Sequence, residues 1–276
     1  MPFNLLNVDA NPKTVKGQAQ GYMTAILYLS PSDSSGVNLC PMAEIANCKA
    51  PCLNTAGRGG MAASNKTFTS PGGAVLPDNT VQRARLRRTA LFNSNPGLFM
   101  AELVDELEDF LRKAKKADLI PVARLSGLSD TRWEKIPVWR NNRECRECVP
   151  RLHPHIFAAF PEIQFYDYTK IPNRDVTGIA NYHLTYSYSH MDAYLPYVQR
   201  ALKHYGSDIN LAVVFNLPKG MPLPETFMGR QVVSGDESDL RFLDPTGVVV
   251  GLTAKGRAKK EGWSRMGTFA VRADHL

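Results

Sequence analysis

The sequence lacks a hydrophobic run long enough to cross a membrane. Its longest apolar stretch, YMTAILYL at positions 22–29, is far shorter than the roughly 20 residues that a membrane-spanning helix needs. The N-terminal stretch, MPFNLLNVDANPKTVKGQ, lacks the basic start and apolar core of a secretory signal peptide. We therefore expect a soluble, intracellular protein with no membrane partner.

Cysteine is scarce and odd in number, at five residues, which argues against a disulfide-stabilised scaffold. Cys40, Cys48 and Cys52 are clustered with the spacing C-x7-C-x3-C. In a reducing compartment, clustered thiols indicate metal ligands or reactive groups. The three cysteines are compatible with zinc, which usually takes four ligands. They are also compatible with a 4Fe–4S cluster held by three thiolates with one iron open. Buried free thiols and a redox role without a metal are the alternatives.

The remaining two cysteines form a C-x2-C pair, Cys145 and Cys148, with His153 and His155 close behind. These four residues have the ligand types of a small zinc site. The pair could instead complete the coordination of the first cluster, or be incidental. Cys145, Cys148 and His153 are therefore candidate additional ligands.

No internal repeat and no long linker divides the chain, so residues 1–276 are predicted to form a single domain. Helices are predicted at 80–92, 96–117, 156–160 and 192–205. Strands are predicted at 22–29, 119–125, 163–168, 183–188 and 210–215, followed by short strands at 232–233, 240–243 and 248–252. This alternation predicts an α/β protein with a (β/α) barrel-like fold, complete or incomplete, and a short β-rich C-terminal segment.

Polar residues follow the predicted strands, where the catalytic residues of a barrel lie. Asp130, Asp167 and Asp236 are the carboxylates among them, and each is suited to act as a nucleophile or a general acid/base. Asp167 lies within Phe-Tyr-Asp-Tyr, where a charge is costly unless it is used or paired. It is the first candidate for the nucleophile, followed by Asp236, with Asp130 as the acid/base. The alternative for Asp167 is a salt bridge with Lys170 or Arg124.

The chain has a net charge of +7 and a sequence pI near 9.2. Its basic residues are clustered, and such clusters favour a polyanionic partner because binding releases counterions. The cluster at 112–116 has another explanation, since lysine and arginine are favoured at helix C-termini. The residues predicted to contact DNA are Arg83, Arg85, Arg87, Arg88, Lys255, Lys259 and Lys260.

Five segments occur in the order CPMAEIANCKAPCLNTAGRG, RLSGLSDTRWE, FYDYTK, NYHLTYSYS and SGDESDLRFLD. Together they resemble the gene product 88 family of bacteriophages, over nearly the whole chain. The resemblance implies a phage origin and a location in the cytoplasm of an infected bacterial host. It specifies no reaction.

In fold and setting, the chain is also similar to phage enzymes that exchange guanine in DNA for a deazaguanine base, which are relatives of the tRNA-guanine transglycosylases. That similarity implies a zinc-stabilised barrel, with DNA and a small modified base as substrates and restriction evasion as the outcome. Asp130, Asp167 and Asp236 match the strand-end aspartates of those enzymes by position. The zinc motif of the transglycosylases, with close cysteines near the C-terminus, is not present here.

Three hypotheses follow for the function. The first is a DNA base exchange of the guanine transglycosylase type, with an aspartate nucleophile. The second is a radical SAM-like enzyme with a 4Fe–4S cluster and S-adenosylmethionine, because radical SAM enzymes hold their cluster in a three-cysteine loop after the first barrel strand. The spacing here, C-x7-C-x3-C, differs from their usual C-x3-C-x2-C. The third is a non-catalytic, zinc-stabilised nucleic-acid-binding protein.

Overall fold

The computed structural model describes residues 4–9, 12–62, 65–141, 149–260 and 267–276 of the chain. Its helices are α1 (Pro12–Gln18), α2 (Thr80–Ser94), α3 (Pro96–Lys116), α4 (Ile156–Ala159) and α5 (Leu195–Tyr205). Its strands are β1 (Leu6–Val8), β2 (Tyr22–Leu27), β3 (Thr67–Thr69), β4 (Val75–Pro77), β5 (Ile120–Arg124), β6 (Val138–Arg140), β7 (Arg151–His153), β8 (Gln164–Thr169), β9 (Tyr182–Ser187), β10 (His190–Met191), β11 (Leu211–Asn216), β12 (Thr226–Phe227), β13 (Arg230–Ser234), β14 (Val249–Thr253), β15 (Gly267–Thr268) and β16 (Val271–Arg272). None of the helices in these ranges is both long enough and apolar enough to cross a membrane.

The central sheet has ten strands in the order β1-β2-β5-β8-β9-β11-β14-β13-β12, with β16 beside the end of β11. Every neighbouring pair from β2 to β13 is parallel. The edge strands β1 and β12 are antiparallel to their neighbours. The predicted α/β architecture is confirmed, and β2, β5, β8, β9 and β11 lie side by side in sequence order, as they would in a barrel.

The sheet is open across the described residues, and a closed TIM barrel is not formed there. A barrel closes when its last strand pairs with its first. Here β1 pairs with the free edge of β2 in the antiparallel direction, so the edge that a closing strand would need is already occupied. At the other end β14 lies between β11 and β13, and β12 forms the outer edge.

One face of the sheet is covered by α3, whose apolar residues recur at helical spacing. Phe99 and Leu103 are fully buried in the main core. The helix begins as predicted, because the Asn95 side chain accepts a hydrogen bond from the Leu98 amide at 3.1 Å and Pro96 occupies the first turn. Residues of β2, β5, β8 and β9 belong to the same core, so this half of the sheet packs on α3.

The opposite face of the sheet is covered by the segment that follows β13. Leu240 packs on Val122 and Tyr166, and the Phe242 ring lies 6.0 Å from that of Tyr166. The prediction of a strand at 240–243 is wrong, since Arg241–Leu243 forms a 3-10 turn. The alternation of apolar residues in this segment arises because it covers the sheet, not because it joins the sheet.

Candidate functional site

The cysteine loop, residues 28–60, follows β2, the first of the parallel strands. It carries Cys40, Cys48 and Cys52, all partly exposed and none in a disulfide. The Cys40 thiol donates a hydrogen bond to the Leu128 carbonyl at 3.5 Å, and the Asp130 amide donates to the Leu39 carbonyl at 2.8 Å. Leu128 and Asp130 follow β5, so the cysteine loop lies over the carboxyl ends of β2 and β5.

Helix α2 holds the cysteine loop from one side. The Arg85 guanidinium donates to the backbone carbonyl and the side-chain oxygen of Asn54 at 2.9 and 2.8 Å. The Gln82 amide donates to the carbonyls of Asn54 and Gly59 at 2.6 and 2.8 Å. A Cβ atom at Gly59 would lie 2.5 Å from the Asn54 carbonyl oxygen and 2.6 Å from the Arg85 guanidinium of α2. The glycine-rich turn therefore packs closely on α2 and fixes the end of the loop.

The second half of the sheet holds the cysteine loop from the other side. The Ser189 hydroxyl, fully buried after β9, donates to the Ala46 carbonyl at 2.8 Å. The 3-10 turn Gly256–Lys260 packs against Leu53–Thr55 of the loop. Contacts from both halves of the sheet thus hold the loop over the strand ends.

Two adjoining cavities, which together we call the cleft, open between the cysteine loop and the strand ends. Their volumes are about 150 Å³ and about 280 Å³. Cys40, Asp130 and Lys170 line the smaller cavity, whereas Cys52 and Asp236 line the larger. The side chains or backbone of five residues line both: Cys48, Arg124, Leu128, Tyr168 and Ser187. The prediction that polar strand ends meet the cysteine loop at one edge agrees with this geometry.

Electrostatics couples the three thiols. Burial raises the pKa of each, that of Cys52 to about 11 and that of Cys40 further. The thiolates of Cys52 and Cys48 also raise the pKa of Cys40, and that of Cys48 raises the pKa of Cys52. Lys170 acts in the opposite direction on the pKa of Cys48. The three free thiols are therefore protonated near neutral pH, and a metal that binds them must displace their protons.

The geometry gives no single-ion site by itself. Within the described ranges, no group of three or more His, Cys, Asp or Glu side chains surrounds a point where one metal ion would bind. Of the candidate additional ligands, Cys145 and Cys148 lie outside the described residues. His153 lies on β7 and lines neither cavity.

Two of the three candidate catalytic aspartates reach the cleft. Asp130 accepts hydrogen bonds from the Thr169 hydroxyl and the Lys170 amide, both at 2.8 Å, and burial raises its pKa. Asp236 accepts from the Thr253 amide and the Lys255 ammonium, both at 2.8 Å. Burial acts to raise the pKa of Asp236, but these bonds dominate and lower it to about 2.

Asp167 lies on the other face of β8. It is fully buried opposite Leu184 of β9, which belongs to the core beneath α3, and it lines neither cavity. Its carboxylate accepts from the Ser126 amide at 2.8 Å and from the Tyr182 hydroxyl at 3.3 Å. The predicted ion pair with Arg124 has an N–O distance of 3.9 Å. Burial raises the pKa of Asp167 to about 7.

Replacing Asp167 by asparagine should flatten part of the pH dependence of stability. The folded-state pKa, about 7, exceeds the ordinary value of 3.8, so the folded protein prefers the protonated acid. Its contribution to stability is fully present below about pH 4 and is lost as the pH rises through about 7. Urea unfolding at several pH values should show the wild-type free energy of unfolding falling over this range relative to Asp167→Asn. A difference between the two proteins that does not change with pH would contradict the assignment.

Lys170 and Arg124 are cleft residues whose importance the sequence did not indicate. The Lys170 ammonium donates to the carbonyl and hydroxyl of Ser187 at 3.0 and 3.1 Å and to the Tyr188 carbonyl at 3.0 Å, which fixes a cation at the wall of the smaller cavity. The sequence suggests both residues only as salt-bridge partners of Asp167. The position of Arg124 could have indicated a role in the cleft, since it is the charged residue that ends β5.

The residues predicted to contact DNA separate into buried and exposed groups. Arg85 and Arg88 are buried, and Arg88 donates to the Asn4 carbonyl at 3.0 and 2.8 Å. These two arginines are engaged inside the protein and do not offer free guanidinium groups to a phosphate. The exposed members are Arg83, Arg87, Lys255, Lys259 and Lys260. Among them Arg83 pairs with Asp78 at 2.7 Å and Lys255 with Asp236 at 2.8 Å.

Comparison with known proteins gives a match to a family and none to an individual protein. No curated protein and no solved structure matches the chain. A family model described as gene product 88 matches residues 4–265, which is nearly the whole sequence and supports a bacteriophage origin. The chain therefore belongs to the gene product 88 family, as the resemblance of its motifs predicted.

Proposed function

We propose that the protein is an iron–sulfur enzyme of the radical SAM-like type, in which Cys40, Cys48 and Cys52 hold a 4Fe–4S cluster at the cleft. One observation carries the proposal. The three thiols lie on a single loop after the first parallel strand, and each lines the cleft at the carboxyl ends of the sheet. Catalytic groups of parallel α/β proteins are concentrated at this edge.

The donor set suits a cluster. Three thiolates can hold a 4Fe–4S cluster and leave one iron open for a further ligand, and the cleft provides space beside the thiols. When bound, such a cluster would supply electrons to S-adenosylmethionine. The chain's own contribution is the fixed loop and the Lys170 side chain, which lowers the pKa of Cys48.

Zinc is the alternative metal. A structural zinc site usually has four ligands, with sulfur about 2.3 Å from the metal. The cysteine loop supplies three thiols, so zinc requires a fourth ligand from elsewhere. Residues outside the described ranges, such as Cys145 and Cys148, are the candidates that the sequence offers.

Aspartate-dependent base exchange remains a prediction, and the positions of the carboxylates give it less support. The first-choice nucleophile, Asp167, lines neither cavity. Asp130 and Asp236 reach the cleft, but each already accepts two strong hydrogen bonds. DNA as the partner also remains a prediction, and it is supported by the net charge of +7 and by exposed Arg87, Lys259 and Lys260.

Anaerobic reconstitution of the full-length protein with iron and sulfide tests the proposal. We expect about four iron and about four sulfide per chain and an absorbance band near roughly 400 nm from thiolate–iron bonds. Under reducing conditions the protein should also consume S-adenosylmethionine, measured by chromatography. A colourless protein with about one tightly bound zinc per chain would contradict the proposal and support the zinc alternative.

A further inference from the structure

We propose that Arg124 binds the oxyanion group, a carboxylate or a phosphate, of a small-molecule ligand held in the cleft. The inference deepens the proposed function by naming the ligand class, and it rests on that function only for the statement that the ligand is a substrate. Arg124 lines both cavities. It is therefore placed to contact a ligand in either of them.

The Arg124 guanidinium is held in position, yet its Nε donor is not used. Its side chain is 17% exposed and stacks on the Tyr168 ring, with the guanidinium carbon 4.7 Å from the ring centroid. Its Nε is buried and has no hydrogen-bond partner. Because buried polar groups are nearly always hydrogen-bonded, an arginine fixed by stacking with an unsatisfied donor indicates an acceptor that the protein itself does not supply.

The acidic residues beside Arg124 lie too far away to accept a hydrogen bond from it. Asp239 and Asp167 each place a carboxylate oxygen 3.9 Å from a guanidinium nitrogen, which is beyond hydrogen-bond length. The Asp167 oxygen concerned already accepts the Ser126 amide. Burial acts to lower the pKa of Arg124, but the neighbouring acids and tyrosines keep it above its ordinary value. The arginine is therefore a permanent cation.

The walls of the larger cavity indicate what the rest of the ligand is like. Besides its charged groups and the polar residues Ser187 and Thr253, the cavity is lined by apolar side chains that include Leu53, Val214, Leu252 and Phe269. Its volume of about 280 Å³ suits a small molecule. A planar guanidinium binds two oxygens of a carboxylate or phosphate side by side. The ligand class is thus a small molecule with an oxyanion group and an apolar or aromatic body.

Arginine-selective NMR of the full-length, iron-free protein provides a local test. The Arg124 Nε–H signal would be assigned by its loss in Arg124→Lys. Sodium acetate and inorganic phosphate would then be titrated separately, with sodium chloride added to match the ionic strength. We expect a saturable shift of the Arg124 signal, and the more effective anion identifies a carboxylate or a phosphate ligand. No shift with either anion, or a shift that does not saturate and is equal for all arginines, would overturn the proposal.

Variants supply the second measurement. The effective anion should raise the Tm of the wild type, and its apparent Kd should be at least about tenfold weaker in Arg124→Lys, because lysine cannot make the paired contact. The matched control is Arg200→Lys, which alters an exposed arginine stacked on Tyr197 at 5.3 Å and should respond as the wild type does. An equal response of Arg124→Lys would overturn the proposal. If Arg124→Lys does not fold, the wild-type titration decides, with the Arg124 signal assigned by triple-resonance experiments.

These tests separate the inference from the proposed function. Anion binding is measured on protein without iron, and iron uptake is measured without added acetate or phosphate. Iron uptake with no response of Arg124 rejects the inference alone. An Arg124 response without iron uptake rejects the iron–sulfur proposal and leaves an anion-binding cleft.

Discussion

Replacing Cys40, Cys48 and Cys52 together by serine should reduce the iron content of reconstituted protein from about four atoms per chain to nearly none. The thiols are partly exposed, and the loop that carries them is fixed by other groups, including Arg85 and Ser189. Serine is close in size but is a poor ligand for iron. The far-ultraviolet circular dichroism and the urea unfolding midpoint should therefore stay close to those of the wild type while the absorbance band near roughly 400 nm disappears.

A matched variant makes this prediction specific. Cys145→Ser/Cys148→Ser removes the other two thiols of the chain and should keep its iron. The reverse pattern, with iron retained in the triple variant and lost in the double variant, would assign the metal to the C-x2-C pair. Loss of iron in both would indicate that the two groups of cysteines share one centre.

The position of the site could be predicted because it follows from topology. Parallel strands end at the same edge of a sheet, so the cysteine loop after β2 and the polar residues after β5 and β8 had to meet there. Asp130, Asp236 and the three thiols line the cleft for this reason. The open edges of the sheet could not be predicted in this way. The sequence gives no strong signal that β1 pairs with β2 or that β14 lies between β11 and β13.

The orientation of Asp167 could not be predicted from its neighbours. Side chains alternate between the two faces of a strand, so Tyr166 and Tyr168 lie on one face and Asp167 on the other. A central parallel strand is buried on both faces, and its sequence does not alternate between apolar and polar residues. Only the pairing of Asp167 with Leu184 shows that it belongs to the side beneath α3.

The sequence also did not show which arginines of α2 are exposed. Residues three or four positions apart share a helix face, and in α2 the face with Gln82, Arg85 and Arg88 is the buried one. Arg83 and Arg87 lie on the exposed face. Counting charges along the sequence treats all four arginines as equivalent. The presence of Gln82 and Thr89 among the buried residues explains why no apolar periodicity marked this face.

The largest effect on stability is expected at Arg174. This residue is fully buried, and its guanidinium donates to both carboxylate oxygens of Glu134, at 3.1 and 2.6 Å, and to the Tyr182 hydroxyl at 2.9 Å. Asp130 lies 3.6 Å away. Arg174→Met leaves the buried Glu134 and the neighbouring Asp130 without this counterion, and removing one partner of a buried pair costs about 3–5 kcal/mol. Urea unfolding at pH 7 measures the loss.

Two further variants determine whether that loss comes from the uncompensated charge. Arg112→Met removes an exposed arginine that pairs with Asp109 on α3 and should change stability by no more than about 1 kcal/mol. Arg174→Met combined with Glu134→Leu removes both charges of the main pair. Its loss of stability should be smaller than the sum of the losses in the two single variants. Each single variant leaves one buried charge without its partner, whereas the double variant removes both charges. If the two losses simply add, Arg174 stabilises the fold through its packing, and the ion pair beneath Asp130 contributes little to holding the cleft.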